Sequence, residues 1–199
     1  MIGSHLIFSA YGFWLPNDPR GSGSDFVRKF ELYRYGPATK VAPGRSVAAK
    51  THDVGLRLRA KEELKYPPVL FTGAQARAIG VGFAAYAKQS KIAVWACSIM
   101  PDHAHLVLGP VAVDLDRVMG QFKGASTRQL MEEGLHPFAV FKKPGEKPPS
   151  CWGRRGWKVF LDTEDDVRRS IAYVEANPVK EGKPRQKWSF VVPFCPRGK

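Results

Sequence analysis

Cysteine is scarce, and the three present, Cys97, Cys151 and Cys195, are scattered and odd in number. They match neither a disulfide framework nor a CxxC zinc pattern. Such usage fits a reducing cytoplasm, with the thiols inert. No apolar run is long enough to span a bilayer. The opening Met1-Ile2-Gly3-Ser4-His5 lacks a basic start followed by a long apolar stretch, so no signal peptide is expected. Internal repeats are absent, and so are the paired aromatic sheet motifs of RNA-binding domains. Acidic residues are few: 18 Asp plus Glu stand against 31 Lys plus Arg, a net charge of +13. That excess runs through both halves of the chain and favours a polyanionic partner, because neutralising phosphates releases condensed counterions. By itself it does not choose among DNA, RNA and an acidic membrane.

What is present reads as one domain over residues 1–199, with a long insertion at about 22–68. His5 to Tyr11 is apolar and aromatic and predicts a strand; a turn-rich loop from Trp14 to Ser22 follows it. The insertion is of mixed charge and weak periodicity, with a helix expected near Gly55 to Leu64. Thr72 or Gly73 caps a helix to about Gln89. Ile92 to Met100 and His103 to Leu108 predict two strands joined at Pro101-Asp102 as a hairpin. Asp114 caps a helix to about Glu133, with Gly134 as its stop. Residues 142–156 read as a basic loop and Trp157 to Leu161 as a short strand. Thr163 caps a last helix, expected to stop at Asn177-Pro178, and Lys187 to Phe194 suggests one more strand. The order predicts an α+β fold: a mainly antiparallel sheet with helices packed on it, ferredoxin-like or RRM-like.

Two local patterns carry chemistry. In His103-Ala104-His105 the imidazoles are two residues apart on a strand, so both point to one face and can reach one divalent ion. Tyr173 and Asn177 are four apart on a helix, which sets a phenol beside a carboxamide. A phenol titrates near ~10 and needs activation to act as a nucleophile. Each pattern also has a plain structural reading: surface histidines, a core tyrosine and a helix-capping asparagine.

Taken together the motifs resemble those of the single-tyrosine HUH transposases, especially the REP-associated tyrosine transposases. The likeness lies in Met100-Pro101-Asp102-His103-Ala104-His105, in Tyr173-Val174-Glu175-Ala176-Asn177-Pro178-Val179-Lys180-Glu181-Gly182, and in Trp152 with Trp157 to Asp162 as the lead-in to that helix. Tyr11 to Gly21 resembles the opening of one subgroup. The resemblance implies a nuclease and strand transferase that cuts single-stranded DNA next to a hairpin. Tyr173 would become linked to the 5′ phosphate, and His103, His105 and Asn177 would hold Mg²⁺ or Mn²⁺. It further implies a monomer or homodimer with no membrane partner, in the cytoplasm and associated with the nucleoid. The alternative is a domesticated single-strand binding protein without catalysis.

Several residues are candidates for DNA contact. Lys123 is either a phosphate ligand, as the resemblance implies, or a solvated helix lysine. Lys142, Lys143, Arg154 and Arg155 would hold the backbone, while Trp152 stacks on unpaired bases. Trp157 reads more readily as a core residue. Arg20 is either a DNA contact or an ion-pair partner of Asp18.

Overall fold

The computed structural model describes residues 1–13, 15, 18, 30–36 and 52–196, less the side chains of Phe30 and Arg155. Arg20 and residues 22–29 and 37–51 of the 22–68 insertion lie outside the described residues, as does much of the Trp14–Ser22 loop. The elements are β1 (Gly3–Ala10), α1 (Val54–Glu62), α2 (Gly73–Ser90), β2 (Val94–Ile99), β3 (His103–Leu108), α3 (Leu115–Glu132), β4 (Trp152–Leu161) and α4 (Glu164–Lys180). Short 3₁₀ turns occupy Phe30–Tyr35 and Ala139–Phe141.

The strands form a four-stranded antiparallel sheet in the order β2-β3-β1-β4. Two β-α-β units, β1-α2-β2 and β3-α3-β4, interleave their strands, which is the ferredoxin-like arrangement. Alternation along β1 and β3 separates two faces. Leu6, Phe8, Ala104, Leu106 and Leu108 point into the main core, where Ile79 and Phe83 of α2 and Val118 and Phe122 of α3 cover them. Rings anchor this layer, with Phe8 and Phe83 centroids 5.4 Å apart and Phe83 and Phe122 5.3 Å apart. The opposite face carries Val107 and Leu161, on which α4 lays Val167 and Val174. No described helix is long and apolar enough to cross a membrane.

Helix starts follow local chemistry. Thr72 and Gln75 form a capping box at α2, and Thr163 and Asp166 form one at α4. Asp114 caps α3 by accepting from the Arg117 N–H. The end of α4 departs from the expectation. The helix passes through Asn177-Pro178 to Lys180, and Gly182 at φ 67° ends it. The Lys183 N–H bonds the Pro178 carbonyl at 2.8 Å and the Gly182 N–H bonds the Val179 carbonyl at 3.0 Å, a complete Schellman stop. Asn177 is therefore a helical residue and not a cap.

Two further expectations need correction. β4 begins at Trp152, not Trp157, because Ala10 pairs with Trp152 across a bulge between Phe8 and Ala10. Gly156 permits this, since a Cβ there would stand 2.5 Å from the Ile7 carbonyl oxygen. The C-terminal stretch is not a strand: among its described residues there is one isolated bridge, Val94 to Val191. In its place the Gln186 carboxamide bonds both the N–H and the carbonyl of Ile99, at 2.8 and 2.7 Å, and so closes part of the β2 edge.

The α2–α3 contact gives a stability prediction. A Cβ on Gly82 would lie 2.5 Å from Ser126 Cα and 2.7 Å from the Ala125 carbonyl oxygen, both backbone atoms that cannot rotate away. Gly82→Ala gains up to ~1 kcal/mol of helix propensity but overpacks the helix contact at ~1–3 kcal/mol. A net loss of about 1–2 kcal/mol is expected in urea denaturation. A variant as stable as the parent would show that the two helices separate freely.

Candidate active site

β1 and β3 pair Ser9 with His103 and Ile7 with His105. The two histidines therefore share a face, as their spacing predicts, and His5 falls on the same face one step further along β1. His5 went unread in the sequence, although its alternation with Ile7 and Ser9 was visible; only the pairing of β1 with β3 brings it to the other imidazoles. Ring centroids of His103 and His105 are 4.8 Å apart, and those of His5 and His105 5.1 Å.

Each imidazole of the His103–His105 pair has its Nδ1 engaged. His103 Nδ1 lies 2.7 Å from Asp102 Oδ1. A carboxylate only accepts, so that nitrogen carries the proton and Nε2 holds the lone pair in the neutral ring. His105 Nδ1 lies 2.9 Å from His5 Nε2, whereas the buried His105 Nε2 has no hydrogen-bond partner. Phe13 stacks on His103 at 5.2 Å and closes that side.

α4 brings its two predicted residues to this cluster. The Tyr173 ring centroid is 5.6 Å from His105 and 6.0 Å from His5, within the same chain. Tyr173 keeps 47% of its surface exposed, so the phenol is not a core residue. One turn on, the Asn177 Nδ2 donates to His103 Nε2 at 3.3 Å. Rotation of the carboxamide would present its oxygen at the same place. Burial raises the phenol above its ordinary value, and the charge of Glu181 adds to the effect. The Lys180 ammonium sits 5.2 Å over the Tyr173 ring.

Among the described residues, no group of three or more His, Cys, Asp or Glu is gathered to hold a metal ion. The residues present nonetheless fit one. A buried imidazole nitrogen without a partner, a second imidazole with its Nε2 lone pair turned to a carboxamide, and that carboxamide form a mixed nitrogen and oxygen donor set.

Burial also shapes the response to acid. It pushes His5 down to about 4 and His105 well below its ordinary value, the latter with help from the charges of His103 and His5. Both rings stay neutral in the folded chain where unfolded histidines, titrating near ~6.5, bind a proton. The unfolded state thus takes up more protons below about pH 6.5, and stability falls as pH drops from there toward 4. His5→Gln should make that fall shallower by about 1.4 kcal/mol per pH unit, read from urea midpoints at a series of pH values. An unchanged slope would contradict a neutral His5.

The candidate DNA contacts separate by position. Lys123 is largely buried on α3, its Nζ donating to the Gly153 carbonyl at 2.8 Å. Burial pushes its ammonium down to about 8 against the pull of Asp116. It lines a cleft of about 560 Å³ with Arg154 and Lys158, on the sheet face away from the imidazoles. Lys142 and Lys143 are exposed in the segment leading to β4, and Arg154 is exposed on β4 itself. Arg155 lies on β4, but its side chain is outside the described residues, and Arg20 is wholly outside them. Asp18 is buried 3.8 Å from Arg57 of α1.

Trp152 requires a correction. It is 3% exposed, packed on Phe71 with ring centroids 5.0 Å apart, and donates its Nε1–H to Ser126 Oγ at 3.1 Å. Its faces are not open to a base. Trp157, read as core, is half-buried opposite Ile7 on the imidazole face of the sheet.

Fold and site together define an α+β protein whose sheet carries a histidine cluster facing a tyrosine on its last helix. The family model described as "Transposase IS200 like" matches residues 64–175, more than half of the chain, and the chain belongs to that family. No curated protein matches the sequence at a significant level. Among solved structures it is similar to a REP-associated tyrosine transposase bound to a REP hairpin, at 20% identity and a TM-score of 0.42, over 59% of this chain. The chain spans 64% of the length of that protein. It is also similar to a Deinococcus radiodurans R1 protein assigned as a transposase, at 16% identity and a TM-score of 0.39, over 87% of this chain and 88% of the other. Both likenesses are too distant to bear on what this chain does.

Proposed function

We propose that this protein is a divalent-metal-dependent endonuclease and strand transferase acting on single-stranded DNA beside a hairpin, through a 5′-phosphotyrosine intermediate. The observation that carries the reading is the half-exposed Tyr173 phenol next to a buried imidazole, His105, whose Nε2 lacks a partner. His103, His105 and Asn177 are the residues that would hold Mg²⁺ or Mn²⁺. A bound ion supplies Lewis acidity, polarising the scissile phosphate and offsetting its developing charge.

The protein's own groups account for the rest. α4 holds the phenol over the sheet, and attack of the Tyr173 oxygen on phosphorus forms the O–P bond as the P–O3′ bond breaks. The phenolic proton leaves to solvent, and the departing 3′ oxygen takes up a proton. The bond energy stays in the phosphotyrosine, so an incoming 3′ hydroxyl can reverse the step and join a new strand without ATP. The phenol's raised pKa means that the phenolate is not formed in advance, and Lys180 supplies a nearby positive charge as the oxygen becomes anionic. The net charge of +13 suits a nucleic-acid backbone, and the exposed Lys142, Lys143 and Arg154 offer it cations. The hairpin comes from the family resemblance.

The test uses a 5′-labelled and a 3′-labelled single strand bearing a hairpin, incubated with the protein and Mn²⁺. A denaturing gel should show protein covalently attached to the 3′-labelled product, with the linkage mapped to Tyr173 by mass spectrometry. Tight binding without any adduct over a panel of hairpins would favour the domesticated binding protein instead.

A further inference from the structure

The proposed chemistry makes no use of His5, yet this imidazole is bonded to the buried member of the histidine pair. A hydrogen bond between His5 Nε2 and His105 Nδ1 at 2.9 Å needs one N–H and one lone pair. Two arrangements exist. If His5 donated, His105 would carry its remaining proton on Nε2, an N–H enclosed with no acceptor. If His105 donates, Nε2 bears only a lone pair, and the proton of His5 sits on its Nδ1, which is not sealed off in the same way. A buried donor without an acceptor is the costlier of the two.

We propose that His5 is a positioning residue: it accepts the Nδ1–H of His105 and so locks that ring in the tautomer whose Nε2 is free to bind a metal ion. The link to metal rests on the reading above; the tautomer itself does not. Asp102 gives His103 the same orientation through its own Nδ1 at 2.7 Å. The two orienting groups differ as their surroundings do. Asp102, at the strand end, keeps 26% of its side chain exposed and can remain charged. His5 is buried beneath the sheet face, where a neutral acceptor avoids the cost of a desolvated carboxylate. A metal-bound histidine normally donates its other N–H to such an acceptor, which fixes the ring and raises its basicity.

The test reads the tautomer first, by long-range ¹H–¹⁵N correlation of the histidine rings in the metal-free, full-length protein. His105 is expected as Nδ1–H in the parent and in His5→Gln, whose amide oxygen can accept, and as Nε2–H in His5→Leu. Mn²⁺ affinity, measured by electron paramagnetic resonance without DNA, should fall about 10- to 100-fold in His5→Leu and recover in His5→Gln. Finding His105 as Nε2–H in the parent would overturn the proposal, and so would His5→Leu binding Mn²⁺ as tightly as the parent. A parent that binds no Mn²⁺ while showing the Nδ1–H tautomer would refute the metal reading and leave the orienting bond standing.

Discussion

Tyr173→Phe is expected to abolish the covalent DNA adduct and reduce strand cleavage by at least about 10³-fold, while leaving DNA binding and thermal stability almost unchanged. The substitution removes one oxygen. No hydrogen bond holds that hydroxyl within the described residues, and the side chain is 47% exposed, so its loss alters stability by no more than about 0.5 kcal/mol. The ring remains to pack beside His105 and under Lys180. The effect should therefore appear in turnover and not in affinity, as when a nucleophile is deleted from an otherwise intact site. A nuclease that used bound water would behave differently: it would keep cutting in the Phe variant and release a free 5′ phosphate. Single-turnover cleavage of the hairpin substrate, with adduct and free product resolved on one gel, separates these outcomes. Undiminished cleavage by the variant would remove Tyr173 from the chemistry.

The pieces of this site differed in how legible they were. His103 and His105 could be read because strand alternation is local: two residues apart always means one face. Tyr173 and Asn177 could be read for the same reason on a helix, and α4 keeps the register even though Pro178 suggested an earlier stop. The Schellman bonds to Lys183 and Gly182 explain the difference. They close the helix end beyond the proline, and a scan for breakers does not see them. His5 was not legible, because its role depends on which strand lies beside β3. The order β2-β3-β1-β4 sets β1 there, 100 residues away in sequence from its hydrogen-bond partner. The start of β4 was misread because glycine signals a loop in sequence. Here Gly156 serves close packing against Ile7. Gln186 imitates a strand with a side chain, and no periodicity announces that.

The same dependence on tertiary contact decides which tryptophan serves the core. Trp152→Ala is expected to cost about 3–5 kcal/mol of stability, a large share of what a domain of this size possesses. The indole is enclosed by Phe71 at 5.0 Å, Phe8 at 6.2 Å and Phe83 at 6.4 Å between ring centroids, and truncation opens a cavity among rings that cannot collapse into it. It also leaves the Ser126 hydroxyl without the indole N–H that it accepts. Trp157→Ala should show the opposite profile. Its ring is half-buried on the imidazole face, so the stability loss is smaller, and single-strand affinity should fall by about 1–3 kcal/mol if a base stacks there. Urea midpoints and fluorescence-anisotropy titrations on both variants form the comparison. A stable Trp152→Ala protein that binds DNA weakly would reverse the assignment, returning Trp152 to the DNA surface that its basic neighbours first suggested.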